Sequence, residues 1–206
     1  LLGSSKEYSS LRYRIKYLLC KLLGFNISPI KKPILFLLDR NHKIEIPEIA
    51  SGVIYNDFRK LRSNLGNYEI DKSVYFISSS FINAKMISKE NYIIFLKKLS
   101  SAFSDKSLKI ILHRFDKFSD FSDLDRFENI ELIQFAGPVE LYFQKYSIKP
   151  SLLITAGSGA TETLDLIYNF KIRVYLPKIE MFYKSSRTEM IILAKHMAKS
   201  YAVKFL

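Results

Sequence analysis

Cysteine is almost missing. Cys20 is the single one in 206 residues, which excludes a disulfide framework and a cysteine-built zinc site and suits a reducing compartment. The three histidines, His42, His113 and His196, are too scattered to suggest a metal site. No apolar run reaches the ~18 residues of a membrane span. No glycine-rich loop continues into Gly-Lys-Ser/Thr, so a Walker-type phosphate loop is excluded. No secretory leader is visible, but residue 1 is Leu rather than Met, so the true start is expected upstream and targeting is not readable. Internal repeats and low-complexity stretches are also lacking.

What remains is an ordinary globular composition, 48% hydrophobic and 25% charged. The length suits one large domain or two small ones, enough to bury roughly two thirds of the unfolded surface. Lys and Arg number 32 against 20 Asp and Glu, a net charge of +12. That balance favours an anionic partner: nucleic acid, an acidic membrane surface or a phosphorylated ligand. It does not choose between them. Ile, Phe, Tyr and Asn are plentiful beside Lys, so an AT-rich genome is a competing source of the excess.

Residues 9–23 read as an amphipathic helix, capped by Ser9 or Ser10 and ended by Gly24. Leu11, Ile15, Leu18 and Leu22 lie on its apolar face, and Arg12, Arg14, Lys16 and Lys21 on a basic one. It is either a surface helix packed on a core or a helix drawn to anionic lipid. A short strand is expected at 34–38. Residues 39–72 read as a polar connecting segment with a little helix near 54–62. The predicted division is therefore 1–72 and 73–206.

From residue 73 a regular alternation begins. Strands are predicted at 73–77, 108–112, 130–135, 152–156 and 172–176. Helices are predicted over 88–103, 119–127, 138–146, 160–169 and 186–201. Short apolar strands alternating with helices imply an α/β fold, a Rossmann-like parallel sheet covered on both faces.

In such sheets ligands sit at the carboxyl ends of the strands. The loop after the fourth strand, Gly157-Ser158-Gly159-Ala160-Thr161, is the best anion site. Its glycines let a ligand approach the backbone, and the helix that follows offers free N–H groups. Ser158 and Thr161 add hydroxyls. A Gly-Ser-Gly turn is equally a plain helix cap. His113 closes the second strand beside Arg114, where it could serve a phosphate or act as general acid, or be only a polar edge residue. Glu140 opens a helix after Gly137-Pro138. It suits the helix dipole there, or a grip on ribose hydroxyls.

Over 73–177 the chain resembles the nucleotide-binding half of bacterial sialyltransferases, above all the lipooligosaccharide enzymes of glycosyltransferase family 52, with the capsular polysialyltransferases as relatives. The likeness rests on Val74-Tyr75-Phe76-Ile77-Ser78 with Ser88-Lys89-Glu90-Asn91-Tyr92, on Lys109-Ile110-Ile111-Leu112-His113-Arg114, on Gly137-Pro138-Val139-Glu140-Leu141-Tyr142, and on Leu152-Leu153-Ile154 with Ser158-Gly159-Ala160-Thr161. Three positions depart from the family. Arg114 stands where proline is usual, Gly159 where a second serine is usual, and Ser78-Ser79-Ser80 where Gly-Gln-Pro is typical.

The resemblance implies the nucleotide-binding half of a GT-B enzyme that transfers sialic acid from CMP-sialic acid to a lipooligosaccharide or capsule acceptor, with inversion. It implies no cofactor and no catalytic metal. His113 would assist departure of CMP. Arg114, Gly157, Ser158, Gly159 and Thr161 would hold its phosphate, and Glu140 its nucleoside. The family's general base belongs to an acidic-acidic-glycine motif, which this sequence lacks, so that motif is expected upstream of Leu1. The expected location is cytoplasmic, peripheral on the inner face of the membrane. The competing reading is a nucleotide-binding α/β module that is non-catalytic or degenerate. Nucleic acid is not expected: 16 Phe and 13 Tyr accompany the charge, but basic residues are spread along the chain and no RNA-binding signature is present.

Overall fold

Val74, Tyr75, Phe76 and Ile77 are all buried, and alternate side chains of a strand face opposite ways. A run buried on both faces belongs at the centre of a covered sheet. In the computed structural model, which describes residues 34–37, 52–55, 58–63 and 66–206, that is where it lies. The helix expected over 9–23 falls outside the described residues.

The chain divides into two compact units, Leu1–Asp57 and Phe58–Leu206. The first holds two short parallel strands, β1 (Ile34–Leu37) and β2 (Gly52–Tyr55). The second opens with a five-residue helix, α1 (Arg59–Ser63). Then follow β3 (Glu69–Ile77), α2 (Lys89–Ala102), β4 (Leu108–Ile111), β5 (Ile130–Ile133), α3 (Val139–Tyr146), β6 (Ile148–Thr155), α4 (Ala160–Tyr168), β7 (Ile172–Leu176), α5 (Arg187–Met197) and β8 (Val203–Phe205). The sheet runs β5-β4-β3-β6-β7-β8 and every neighbour is parallel. The fold is therefore the expected Rossmann-like α/β architecture. The chain steps outward from β3 to β5, then returns to the other side of β3 and steps outward again. This doubly wound order puts a switch point between β3 and β6, where loops diverge and leave a crevice.

Two apolar clusters fill the layers. Val74, Phe76, Leu108 and Ile110 pack with Tyr92, Phe95, Leu96 and Leu99 of α2. Tyr75, Ile77, Ile111 and Leu153 pack with Tyr142 and Phe143 of α3 and Leu164, Ile167 and Tyr168 of α4. The α5 helix is tied to α4 through His196 and Glu162, 3.0 Å apart.

Differences from expectation have local causes. The strand expected at 73–77 starts earlier, at Glu69, through a polar stretch with a register shift between Asp71 and Val74. Asp71 Oδ1 takes the N–H of Ser73 there, and Pro150, which has no N–H, pairs opposite Asp71. The helix expected over 119–127 is a 3-10 helix, Phe118–Leu124. Its serines and aspartates compete with α-helical bonding, and Ser122 Oγ donates to Ser119 O. Two strands, β2 and β8, were not anticipated.

Candidate functional site

The loops that leave β3, β4, β5 and β6 at their carboxyl ends enclose a cavity of about 340 Å³. Its apolar floor is made by strand ends, Ile77, Ile111 and Leu112, and by Phe135 and Val139. Its polar wall is Ser78, His113, Arg114, Glu140 and Ser158. The first turns of α3 and α4 both border it, through Val139 and Glu140 and through Ala160. Two helix amino ends thus present partial positive charge and unbonded N–H groups to one space.

Of the predicted residues, His113, Arg114, Glu140, Ser158 and Gly159 meet at this cavity, from three separate loops. Gly157 and Thr161 do not line it. Gly157 is buried with φ +73°, and a Cβ there would lie 3.0 Å from Leu193 Cδ2. Glycine is needed at that point to turn the chain and let α5 approach. Thr161 faces inward: its hydroxyl donates to Thr155 Oγ1 at 2.8 Å, and its N–H to Ser158 O at 3.0 Å. It fastens the start of α4 to the end of β6, so its donors are not offered to the cavity.

Gly159 is the opposite case. Its φ is −58°, and a Cβ there would meet nothing within 4 Å. Neither backbone conformation nor packing asks for glycine, and its bareness leaves the helix end open to a close-lying group. Beside it, Ser158 Oγ is buried with no hydrogen-bond partner. A buried unpaired hydroxyl costs about 1–3 kcal/mol, which an acceptor bound in the cavity would relieve.

His113 Nδ1 accepts the N–H of Phe115 at 3.3 Å. In the neutral ring the proton therefore sits on Nε2, which makes that nitrogen a donor. Burial lowers the imidazole's pKa and Arg114 adds to the lowering, while Asp116 opposes it. The shift favours the uncharged ring at neutral pH. Arg114 is exposed and its guanidinium stacks 4.8 Å over the ring of Phe115, which holds the fork in one orientation. Glu140 Oε1 accepts from Thr163 Oγ1 at 2.6 Å, and its carbonyl accepts from the Tyr168 hydroxyl. These bonds fix the carboxylate at the amino end of α3.

Asp116 was missed. It is 4% exposed. Its Oδ2 accepts from Ser78 Oγ and from the His113 N–H, both at 3.1 Å, and its Oδ1 accepts from Asn83 Nδ2 at 2.9 Å. Its own N–H closes a turn onto His113 O at 2.7 Å. Burial raises its pKa against these donors. Its signal was the four-residue turn His113-Arg114-Phe115-Asp116, since aspartate commonly bonds back into such a turn. Ser78 and Ser79, which follow β3, are spent internally: Ser78 Oγ bonds Asp116 and the Tyr92 hydroxyl, and Ser79 Oγ donates to Ala156 O. Among the described residues no three His, Cys, Asp or Glu side chains are grouped as metal ligands would be.

No model of a known protein family matches the chain, and no curated protein matches it. No helix among the described residues is long and apolar enough to cross a membrane.

Proposed function

We propose that this cavity binds the nucleotide of an activated sugar, and that the protein is the donor half of a sialyltransferase-like glycosyltransferase using CMP-sialic acid. One observation carries the reading. His113, Arg114, Glu140 and the Ser158-Gly159 helix start, separated by up to 46 positions in sequence, line one cavity at the switch point of a doubly wound sheet. Two helix amino ends and a cation suit a phosphate. The size, about 340 Å³, is at the small end of ligand cavities, which suits a mononucleotide better than a dinucleotide. The choice of CMP-sialic acid rests on the sequence resemblance alone.

In this reading the phosphate lies against the start of α4, where Ser158 Oγ finds its acceptor and Gly159 allows the approach. Glu140 takes the ribose hydroxyls with the lone pairs that Thr163 leaves. In transfer, the bond between the sugar's anomeric carbon and the phosphate oxygen breaks and its electron pair stays on the phosphate. The His113 Nε2–H and the Arg114 guanidinium are the donors for that charge. The acceptor hydroxyl forms the new bond and gives its proton to a base. Asp116 is committed to three donors within the protein and in this reading Glu140 is engaged by the ribose, so the base comes from elsewhere. The same fact favours the second reading, a module that binds nucleotide without catalysis.

Titration calorimetry with CMP and AMP tests the site. Preference for CMP is expected; equal affinity, or none, overturns it. Release of CMP from CMP-sialic acid by a complete enzyme on adding a glycan acceptor separates the two readings: turnover supports the enzyme, and binding without turnover supports the module.

A further inference from the structure

Phe135 has no part in the phosphate chemistry, yet it lines the cavity. Its ring lies where a side chain at position 137 would push it aside. A Cβ on Gly137 would lie 2.9 Å from Phe135 Cε1 and 3.4 Å from Cζ, so the ring rests directly on the bare backbone of Gly137. Tyr142 meets it edge-on at 5.4 Å between centroids, and Lys145 Nζ lies 5.8 Å from its centre. Three neighbours thus hold one aromatic ring at the cavity wall.

The sheet order gives this ring a place relative to the phosphate end. Phe135 follows β5 and Ser158 follows β6, and β4 and β3 lie between them. Three strand spacings of about 4.8 Å put the two ends roughly 14 Å apart. His113, after β4, falls between. A ligand that touches both ends is long and narrow, with charge at one end and a flat apolar group at the other.

We infer that Phe135 is the stacking surface for the nucleobase, and that Gly137 is the residue that allows it. The inference rests on reading the cavity as a nucleotide site. It adds that the base, and not only the phosphate and ribose, is held by this chain.

Titrating the full chain with CMP and with ribose 5-phosphate, which lacks the base, tests it. The wild type is expected to bind CMP roughly ten- to a hundredfold more tightly, the range of one base stacked on an aromatic ring. Phe135→Leu, which keeps apolar bulk without the π-face, should bring CMP down to the level of ribose 5-phosphate and leave the latter unchanged. Phe135→Tyr should keep the preference, and Gly137→Ala, which displaces the ring, should erase it. Equal binding of the two ligands by the wild type overturns the inference alone, as does a Phe135→Leu variant that keeps the preference or weakens both ligands alike. A wild type that binds neither ligand overturns the nucleotide reading and this inference with it.

Discussion

Replacing Asp116 by Ala should destabilise the protein by about 2–4 kcal/mol, and replacing it by Asn should cost about 0.5–1.5 kcal/mol. The carboxylate accepts from three donors. With Ala, Ser78 Oγ can turn to the Tyr92 hydroxyl, 3.0 Å away, and Asn83 Nδ2 keeps Phe115 O at 3.1 Å. The His113 N–H is left with nothing, and an unsatisfied buried donor costs about 1–3 kcal/mol. The weakened bonds at Ser78 and Asn83 add about 0.5–1.5 kcal/mol between them. With Asn, one oxygen serves Ser78 and His113, but the new NH₂ group faces the Asn83 NH₂, and a flip of Asn83 would give up Phe115 O, so one bond worth about 0.5–1.5 kcal/mol is lost. At about 2–4 °C per kcal/mol for a chain of this size, melting should fall by roughly 4–16 °C for Ala.

The difference should also depend on pH. Burial raises the pKa of Asp116 in the folded protein, so the folded state holds this proton more tightly than the unfolded one. Its contribution is fully present below about 3.8, the unfolded value, and is lost as pH rises through the folded pKa. The wild type should therefore gain on Asp116→Asn as pH falls from 7 to 4. Melts followed by circular dichroism at both pH values measure it. An Ala variant as stable as the Asn variant, or a gap between wild type and Asn that does not change with pH, would refute the reasoning.

His113 works in the opposite sense. Its pKa is lowered, chiefly by burial, so its contribution to stability is present above about 6.5 and is lost as pH falls toward the folded value. Urea titrations at pH 7.5 and 5 should show this loss in the wild type and not in His113→Gln. In a transfer assay with a complete enzyme, His113→Ala should lower turnover by roughly 10²–10⁴-fold; an unchanged rate removes it from the reaction. The two glycines of the α4 loop should separate fold from function. Gly157→Ala meets both a left-handed φ and Leu193 at 3.0 Å, and should cost about 2–4 kcal/mol in a chemical melt. Gly159→Ala should leave stability within about 0.5 kcal/mol and weaken CMP binding in calorimetry.

Most of the sheet was legible because its strands are bounded apolar runs and its first long helix carries a side-chain cap. Ser88 caps α2 by accepting the N–H of Asn91 at 3.2 Å. What escaped lacks that contrast. The β8 strand has three residues, two of them exposed, and exists because Val174, Tyr175 and Leu176 offer an edge to pair with. Glu69 to Ser73 is polar, yet it joins β3 because β6 supplies partners from Ile148. Pairing is a property of two segments and leaves no periodicity in either one. The site was legible in the same unequal way. Loops after strands identified His113, Arg114, Glu140, Ser158 and Gly159. Asp116 escaped because two of its donors, Ser78 and Asn83, lie 38 and 33 residues away. Thr161 was placed at the ligand because a hydroxyl in a first turn reads the same whether it points out or in. Only the 2.8 Å bond to Thr155 decides.

The position of the cavity follows from how the first loop is used. In a doubly wound sheet the turn after the first strand commonly receives the phosphate, on glycines that bring the backbone close. Here that turn is Ser78-Ser79-Ser80, and its first two hydroxyls are consumed by Asp116, Tyr92 and Ala156. It acts as a brace. Ser78 supports Asp116, Asp116 supports the backbone of His113, and Phe115 sets the tautomer of the ring. In the proposed reading the anion-receiving role falls to the β6–α4 turn, where Gly159 and an unpaired Ser158 hydroxyl stand at a helix start. With the imidazole neutral, the fixed positive charge at the cavity comes from Arg114 and the two helix ends. In the proposed reading, the singly charged phosphodiester of the donor would raise the His113 pKa, and the second charge that develops as CMP departs would raise it further. Binding should draw a proton onto the ring just where a leaving phosphate can use it. Burial disfavours the charged ring in the folded protein, and in that reading the charge of the bound donor would counter it.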